Sequence, residues 1–488
     1  MTAEALRLMK LGRFEEALPF AEQGVAGAEV CLPGHGLLAT ILLRLGRGAE
    51  AERVVAAAME LKTGVADAYD GLAYVSMGLG RHDRANGLYR RATEIAPQAP
   101  RFLYNLACSE RSLGRLVEAE ADCDRVIALD RAQYPTYLLR AELRVQAPNA
   151  NHIPELEAQL AAAGLDHRAR VFLSYALAKE LDDVGRYDEA FHWFSTAAAA
   201  RRSRLQYDIA ADEHKLKRIE QAFPPGASRP GGPGARAEAS GQPRDSSRYI
   251  FIVGLPRSGT TLVERILTGL SGVRSNGETE NFSRALFKAA RGAGDVFAQA
   301  AAADPAQVAA EYVRCANPGG ADASVIEKLP MNYLYVGAIH RALPEAKILL
   351  LKRSPLDSCF AMYRTLFGEA YPFSYDMQEL ARYCAAFERL MSHWRASLGD
   401  SLHEIVYEEL VGEPKRVAAS IARHCGLTWN DTALDIQNNQ SVSLTASAAQ
   451  VRRPIYGSSS GRWRHYHRHL QGLIAALRQH GVALPDEA

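Results

Sequence analysis

The most chemically pointed stretch of the chain is Gly254-Leu255-Pro256-Arg257-Ser258-Gly259-Thr260-Thr261. It follows the apolar run Tyr249-Ile250-Phe251-Ile252-Val253 and precedes a helical pattern, Leu262 to Gly269. Strand, glycine-rich turn and helix together suit an anion, because consecutive backbone N–H groups and the helix N-terminus turn positive dipoles toward it. Nucleotide triphosphatases write such a loop as G-x-x-x-x-G-K-[ST], with the lysine on the β/γ-phosphates. Thr260 stands where that lysine would be, which argues against ATP hydrolysis. Arg257 lies inside the loop instead and offers a charge-assisted fork to phosphate or sulfate.

A second anion site follows further along the chain. Ala346 to Lys352 reads as a buried strand, Arg353-Ser354-Pro355-Leu356-Asp357 ends it, and Ser358 to Leu366 continues as a helix. This again puts an arginine at the carboxyl end of a strand, where α/β proteins bind ligands. An arginine there also serves commonly as a surface ion-pair member. The two loops in this order resemble the sulfotransferases that use 3′-phosphoadenosine 5′-phosphosulfate (PAPS). Pro256 to Leu262 is similar to their loop for the 5′-phosphosulfate, and Arg353 to Asp357 to their site for the 3′-phosphate. The resemblance covers roughly residues 249–470 and is nearest to the protein-tyrosine sulfotransferase branch.

What the resemblance implies can be placed residue by residue. The family's catalytic carboxylate falls in Gly277-Glu278-Thr279-Glu280, where Glu278 matches best and Glu280 is the fallback. A general base of this kind takes the acceptor's proton. Lys328, in Glu327-Lys328-Leu329-Pro330, would balance charge on the leaving phosphate. Tyr407 matches a tyrosine stacked on adenine. Ser447 matches a serine that assists the transition state, and Arg452, Arg453 and Arg462 would face the phosphates. The cofactor site therefore comprises Arg257, Ser258, Gly259, Thr260, Thr261, Arg353, Tyr407, Ser447, Arg452, Arg453 and Arg462. The catalytic set is Glu278, Lys328, Ser447 and Arg257, with PAPS as co-substrate and no metal. One position departs from the pattern: eight residues after the 3′-phosphate arginine the family has a serine, and this chain has Ala361, leaving Ser354 or Ser358 to substitute. Glu264, on the phosphate-loop helix, reads as a structural ion-pair member.

The elements ahead of this region have another texture. Leu-Gly-Arg recurs with its glycine at Gly12, Gly46, Gly80 and Gly114, each step 34 residues, and Val-Gly-Arg returns at Gly185. Alanine stands seven residues before each glycine (Ala5, Ala39, Ala73, Ala107, Ala178) and five after (Ala17, Ala51, Ala85, Ala119, Ala190). Small residues in phase let two antiparallel helices approach, and the glycine relaxes their turn. Ala141 keeps the phase of a degenerate copy that has Pro148 where glycine belongs. These features resemble the tetratricopeptide repeat over about residues 1–215. The resemblance implies a solenoid that binds a protein or peptide. From Phe223 to Arg248 the chain turns Pro/Gly-rich, as a flexible tether does.

The expected architecture is thus multidomain. An all-α tetratricopeptide-repeat array (1–222) is followed by a linker (223–248) and an α/β phosphate-loop-like sulfotransferase domain with a central parallel sheet (249–488). Composition agrees with a globular chain: 488 residues, 48% hydrophobic and 23% charged. A net charge of +1 gives no bulk field for nucleic acid, so any anion site is local. Seven dispersed cysteines without C-x-x-C spacing read as reduced thiols of a cytoplasmic protein. No signal peptide or membrane span is expected. The function expected is sulfuryl transfer to a hydroxyl, a protein tyrosine being the acceptor that both resemblances suggest; glycan, lipid and small-molecule hydroxyls stay open. The alternatives are a P-loop kinase or ATPase, and a non-catalytic repeat scaffold with a degenerate nucleotide fold.

Overall fold

A computed structural model describes residues 2–26, 32–225, 246–290, 292, 294–317, 320, 322–439, 441–445, 447–457 and 459–484. The chain divides into two compact units, one formed by Met1–Gln146 with Pro154–Gln159, the other by Ala147–Ile153 with Leu160–Ala488.

The first unit is helical. Its hairpins are Thr2–Lys10 with Phe14–Ala26, Leu32–Arg44 with Gly48–Met59, Ala66–Gly78 with His82–Ile95, and Pro100–Leu113 with Leu116–Leu129. The phased residues do what their size allows. Ala5, Ala39, Ala73, Ala107, Ala17, Ala51, Ala85 and Ala119 are all fully buried, which lets the paired helices approach closely. Gly12, Gly46, Gly80 and Gly114 each turn the chain with φ between +72° and +82°, a region closed to most side chains.

The second unit is built on a five-stranded parallel sheet of order β2-β3-β1-β4-β5. The strands are β1 (Tyr249–Gly254), β2 (Val273–Ser275), β3 (Ser324–Lys328), β4 (Lys347–Lys352) and β5 (Leu402–Val406). β1 and β4 are near-continuous apolar runs because both of their faces are covered. Ile250 and Ile252 pack with Val263 and Ile266 of the helix Thr260–Thr268. Tyr249 and Phe251 point the other way, onto Tyr312 and Phe282. The register pairs Ile252 with Lys328 and Gly254 with Leu351. The loops leaving β1, β3 and β4 therefore open side by side at one sheet edge.

Packing divides the chain earlier than the change of texture at 223–248 suggests. The helices His167–Asp183, Tyr187–Arg202 and Ile209–Ala222 lie in the second unit. Tyr175 donates to the Tyr363 carbonyl at 3.3 Å, Arg202 forks onto Glu379 at 2.6 and 2.7 Å, and Arg382 onto Glu213 at 2.6 and 3.0 Å. Periodicity reports that two helices form a hairpin; it carries no information on what the hairpin then packs against. Phe223, expected to open the tether, is buried edge-on against Trp394, and its carbonyl accepts from His393 at 2.8 Å. Residues 226–245 of the expected linker lie outside the described residues. Among the described residues no helix is long and apolar enough to cross a membrane. Cys108, Cys123, Cys315, Cys359, Cys384 and Cys425 are free thiols.

Candidate active site

The loop after β1 is shaped by three residues. Arg257 has φ +66°, the one positive value on a non-glycine residue among those described. Such strain persists where surrounding contacts fix it. Gly259, φ +105°, caps the helix Thr260–Thr268, and a Cβ there would run into the Tyr407 ring. Ser258 is buried, and its Oγ has no hydrogen-bond partner among the described residues. Thr260 and Thr261 are buried in the first helical turn, whose N–H groups lack intrahelical partners. Thr261 Oγ1 reaches Thr445 Oγ1 at 3.4 Å.

Side chains far apart in sequence close around this loop. Arg257 donates through Nη1 to Ser447 Oγ and through Nη2 to Gln450 Oε1 at 2.7 Å. Arg353, the first residue after β4, donates to the Arg257 carbonyl at 2.7 Å and to the Ser459 carbonyl at 2.5 Å. Its guanidinium lies 4.7 Å from the centre of the Tyr407 ring, and Tyr407 Oη meets Ser459 Oγ at 2.6 Å. Burial pushes the Tyr407 phenol up, keeping it neutral. Arg257, Ser258, Gly259, Arg353, Tyr407 and Ser447 thus form one contiguous group, with Gln450 and Ser459 as members the sequence reading missed. Ser354, a candidate to replace the serine missing at Ala361, caps the helix Pro355–Tyr363 by accepting from the Asp357 N–H at 3.5 Å.

A second group lies at the carboxyl end of β3. Lys328 is fully buried; its Nζ sits 2.6 Å from Glu278 Oε1 and 3.5 Å from Glu264 Oε2. Glu264 also accepts from Ser275 Oγ, and burial raises its carboxyl against the pull of Lys328. Glu280 is exposed and faces Arg284 at 3.4 Å, so of the two candidate bases only Glu278 joins Lys328. Glu327 was not singled out from sequence. It is buried, and its carboxylate accepts from Thr279 Oγ1 at 2.8 Å, Asn281 Nδ2 at 3.3 Å and Asn276 Nδ2 at 3.4 Å. Three donors from the 276–281 loop thereby fix the backbone that carries Glu278. Burial outweighs these bonds and pushes the Glu327 carboxyl up to about 7. The run of short polar residues around Glu278 was the available signal, since such a loop needs a shared acceptor.

The C-terminal arginines have separate surroundings. Arg452 is half-buried beside Arg265, and burial lowers its guanidinium. Arg265 itself donates to the Ser441 carbonyl at 2.6 Å and the Ile436 carbonyl at 3.2 Å, binding the C-terminal segment to the phosphate-loop helix. The Arg453 backbone N–H donates to the Gln450 carbonyl at 3.3 Å, and its guanidinium joins no ion pair among the described residues. Arg462, expected to face the phosphates, is instead 2.6 Å from Asp182 Oδ2. No group of three or more His, Cys, Asp or Glu side chains arranged to hold a metal occurs among the described residues.

Residues 249–431 match the family model described as "Sulfotransferase family". This stretch is a sulfotransferase-family domain. Arg257, Glu278, Lys328, Arg353 and Tyr407 lie inside the matched stretch, while Ser447, Gln450 and Ser459 lie beyond its end and close against it. An uncharacterized protein of Aquifex aeolicus (strain VF5) is 28% identical over 416 residues, covering 82% of this chain and 53% of its own length. The chain therefore spans about half the length of that curated relative. Among solved structures, the sulfotransferase domain of the Synechococcus PCC 7002 olefin synthase is 18% identical with a TM-score of 0.34, covering 50% of this chain and 97% of that one. The sulfotransferase domain of the curacin biosynthetic pathway is also 18% identical, with a TM-score of 0.33, covering 48% and 98%. The sulfotransferase from Alicyclobacillus acidocaldarius is 16% identical, with a TM-score of 0.28, covering 49% and 95%.

Proposed function

We propose that the protein is a PAPS-dependent sulfotransferase that sulfates a hydroxyl, that of a protein tyrosine, and that its N-terminal helical unit recruits the protein or peptide acceptor in the cytoplasm. The observation that carries the reading is the convergence of Arg257 and Arg353, from the ends of adjacent parallel strands, on a phosphate loop without a lysine. The residues fit such a donor. Ser258 Oγ and Arg353 Nε are buried polar atoms without partners among the described residues, and a bound anion would satisfy such groups. Tyr407 offers an aromatic face beside Arg353.

Arg257, Ser258, Ser447 and the first-turn N–H groups would hold the 5′-phosphosulfate, Arg353 the 3′-phosphate, and Tyr407 the base. The donor supplies an activated sulfuryl group, whose bond to the phosphate oxygen breaks as a bond from sulfur to the acceptor oxygen forms. Glu278 takes the acceptor's proton. Lys328, already drawn between Glu278 and Glu264, balances the charge left on the phosphate oxygen. Fixed donors of this kind catalyse by position and electrostatics, as in phosphoryl transfer. The acceptor assignment is supported by the resemblance to tyrosine-sulfating enzymes and to peptide-binding repeats.

The test is thermal stabilisation by the desulfated donor, 3′-phosphoadenosine 5′-phosphate (PAP), against Mg·ATP, on the wild type and Arg353→Ala. At a hundred times its dissociation constant a ligand adds about 2.7 kcal/mol. Stabilisation by PAP that the arginine variant loses is the expected outcome. Stabilisation by Mg·ATP alone overturns it in favour of a kinase, and no shift with either favours a scaffold.

A further inference from the structure

Asp182 ends the helix His167–Asp183, outside the stretch that matches the sulfotransferase family. It is 3% exposed. Its Oδ2 accepts from Arg364 at 2.7 Å and Arg462 at 2.6 Å, and its Oδ1 accepts from the Tyr466 hydroxyl. Burial would push this carboxyl up, but the two guanidiniums outweigh it and hold the group below its ordinary range. Arg364 follows the helix Pro355–Tyr363, which starts just past Arg353. Arg462 and Tyr466 belong to the 3₁₀ turn Arg462–His469.

The same C-terminal run reaches the donor side of the site. The Ser459 carbonyl accepts from Arg353, and Ser459 Oγ bonds Tyr407 Oη. The Gly461 N–H donates to Asp357 Oδ2 at 2.7 Å, and the Trp463 N–H to Asp357 Oδ1 at 3.4 Å. Residues 459–466 are thus tied at one end to Arg353 and Tyr407 and at the other to Asp182. The hairpin adds stacked pairs further along: Tyr187 with His465 at 4.4 Å and Phe191 with His469 at 4.5 Å.

We propose that Asp182 is a positioning residue of the donor site, holding residues 459–466 as a strap across Arg353 and Tyr407 and keeping Arg462 as a structural cation rather than a phosphate ligand. The proposal rests on the PAPS reading for what the strap covers, and on geometry alone for the strap itself. Two part-buried guanidiniums without their buried carboxylate repel each other and pull the strap out of register. Arg353 then loses one of its two carbonyl partners and Tyr407 its hydroxyl partner.

The experiment uses the full chain as wild type, Asp182→Asn, Arg462→Gln, the double variant, and Tyr466→Phe, which keeps both ion pairs. Amide hydrogen exchange at Gly461 and Trp463 reads the strap without any ligand. Exchange in Asp182→Asn is expected to rise at least tenfold over wild type and in Tyr466→Phe by less; unchanged protection overturns the proposal. PAP titration reads the consequence. Each of Asp182→Asn and Arg462→Gln is expected to weaken PAP about tenfold, with the double variant no weaker than the worse single one, because the pair acts as a unit. kcat at saturating PAPS is expected to stay near wild type while KM rises. Additive losses would make Arg462 an independent phosphate ligand and overturn the proposal. A wild type that ignores PAP but shows the exchange pattern defeats the donor reading and leaves the strap in place.

Discussion

Two hairpins of this chain obey the same sequence rule and meet different fates. The hairpin turning at Gly114 lies in the first compact unit and the one turning at Gly185 in the second. Their glycines have φ of +82° and +81°, and the phased alanines Ala107, Ala119, Ala178 and Ala190 are all fully buried. The repeat phase therefore fixes helix, turn and helix equally in both. What differs lies off the phase. Three residues before the turning glycine the earlier copies carry Met9, Leu43, Met77 and Arg111, whereas the last carries Asp182. Arg111 makes a half-exposed ion pair with Glu142 at 3.3 Å, and Asp182 is the buried centre of three donors. The periodic positions encode the hairpin; off-phase residues, Asp182 with Tyr175 and Arg202, tie it to the second unit.

Exchanging those off-phase residues should break the likeness most strongly. Asp182→Ala strips the counter-charge from two guanidiniums, and breaking a buried pair in this way costs about 3–5 kcal/mol. Arg111→Ala removes one cation from a part-buried pair whose carboxylate, Glu142, is 27% exposed where that of Asp182 is 2%, and is expected to cost less. Trp193, Trp394, Trp429 and Trp463 all lie in the second unit, so tryptophan fluorescence in urea follows that unit alone. The expected result is a midpoint that falls sharply for Asp182→Ala and holds for Arg111→Ala. Equal shifts would mean that the off-phase position carries no special weight.

That contrast also marks what could be read from sequence. The phosphate loop, Arg353 and the strand ends were legible because strand, glycine turn and helix are local patterns. Glu278 and Lys328 were reached through the resemblance, and the structure puts them 2.6 Å apart. Glu327 was passed over because its three donors lie 46 to 51 residues away, with three helices between. Arg462 was assigned through the resemblance of its segment; the carboxylate it donates to stands 280 residues earlier, in a segment that reads as repeat. Long-range pairing of this kind leaves no mark on spacing, only an unexpected residue type at one phase position.

The phased positions themselves should respond alike. Ala107→Leu and Ala178→Leu each push extra methylenes between two closely packed helices, an overpacking worth about 1–3 kcal/mol. Both variants are expected to lower the global melting temperature by a similar amount in circular dichroism. Only Ala178→Leu is expected to move the tryptophan transition. A tolerant Ala178 would show that the last hairpin keeps its phase without needing close helix contact.

The smallest expected difference is in how the two units answer pH. In the first, Glu110 is 2% exposed, and burial together with the Asp122 carboxylate pushes its carboxyl up to about 7. The folded state then holds a proton that the unfolded chain releases near 4.5. This contribution is complete below 4.5 and is lost as pH rises toward 7. In the second unit His403 and His424 stack at 4.3 Å, and burial, then His403 and Lys347, pushes His424 down to about 4. Here the unfolded chain binds the extra proton, so the contribution is complete above 6.5 and is lost as pH falls toward 4. Glu327 titrates in the same direction as Glu110. The differences between each variant and wild type are therefore the quantities to read. Glu110→Gln is expected to raise the melting temperature at pH 7 relative to pH 5, and His424→Gln to raise it at pH 5 relative to pH 7, each by about 2–4 °C. Slopes of the same sign would mean that one of the two groups keeps its ordinary ionisation in the folded chain, and would undo the electrostatic half of the comparison while leaving the packing half intact.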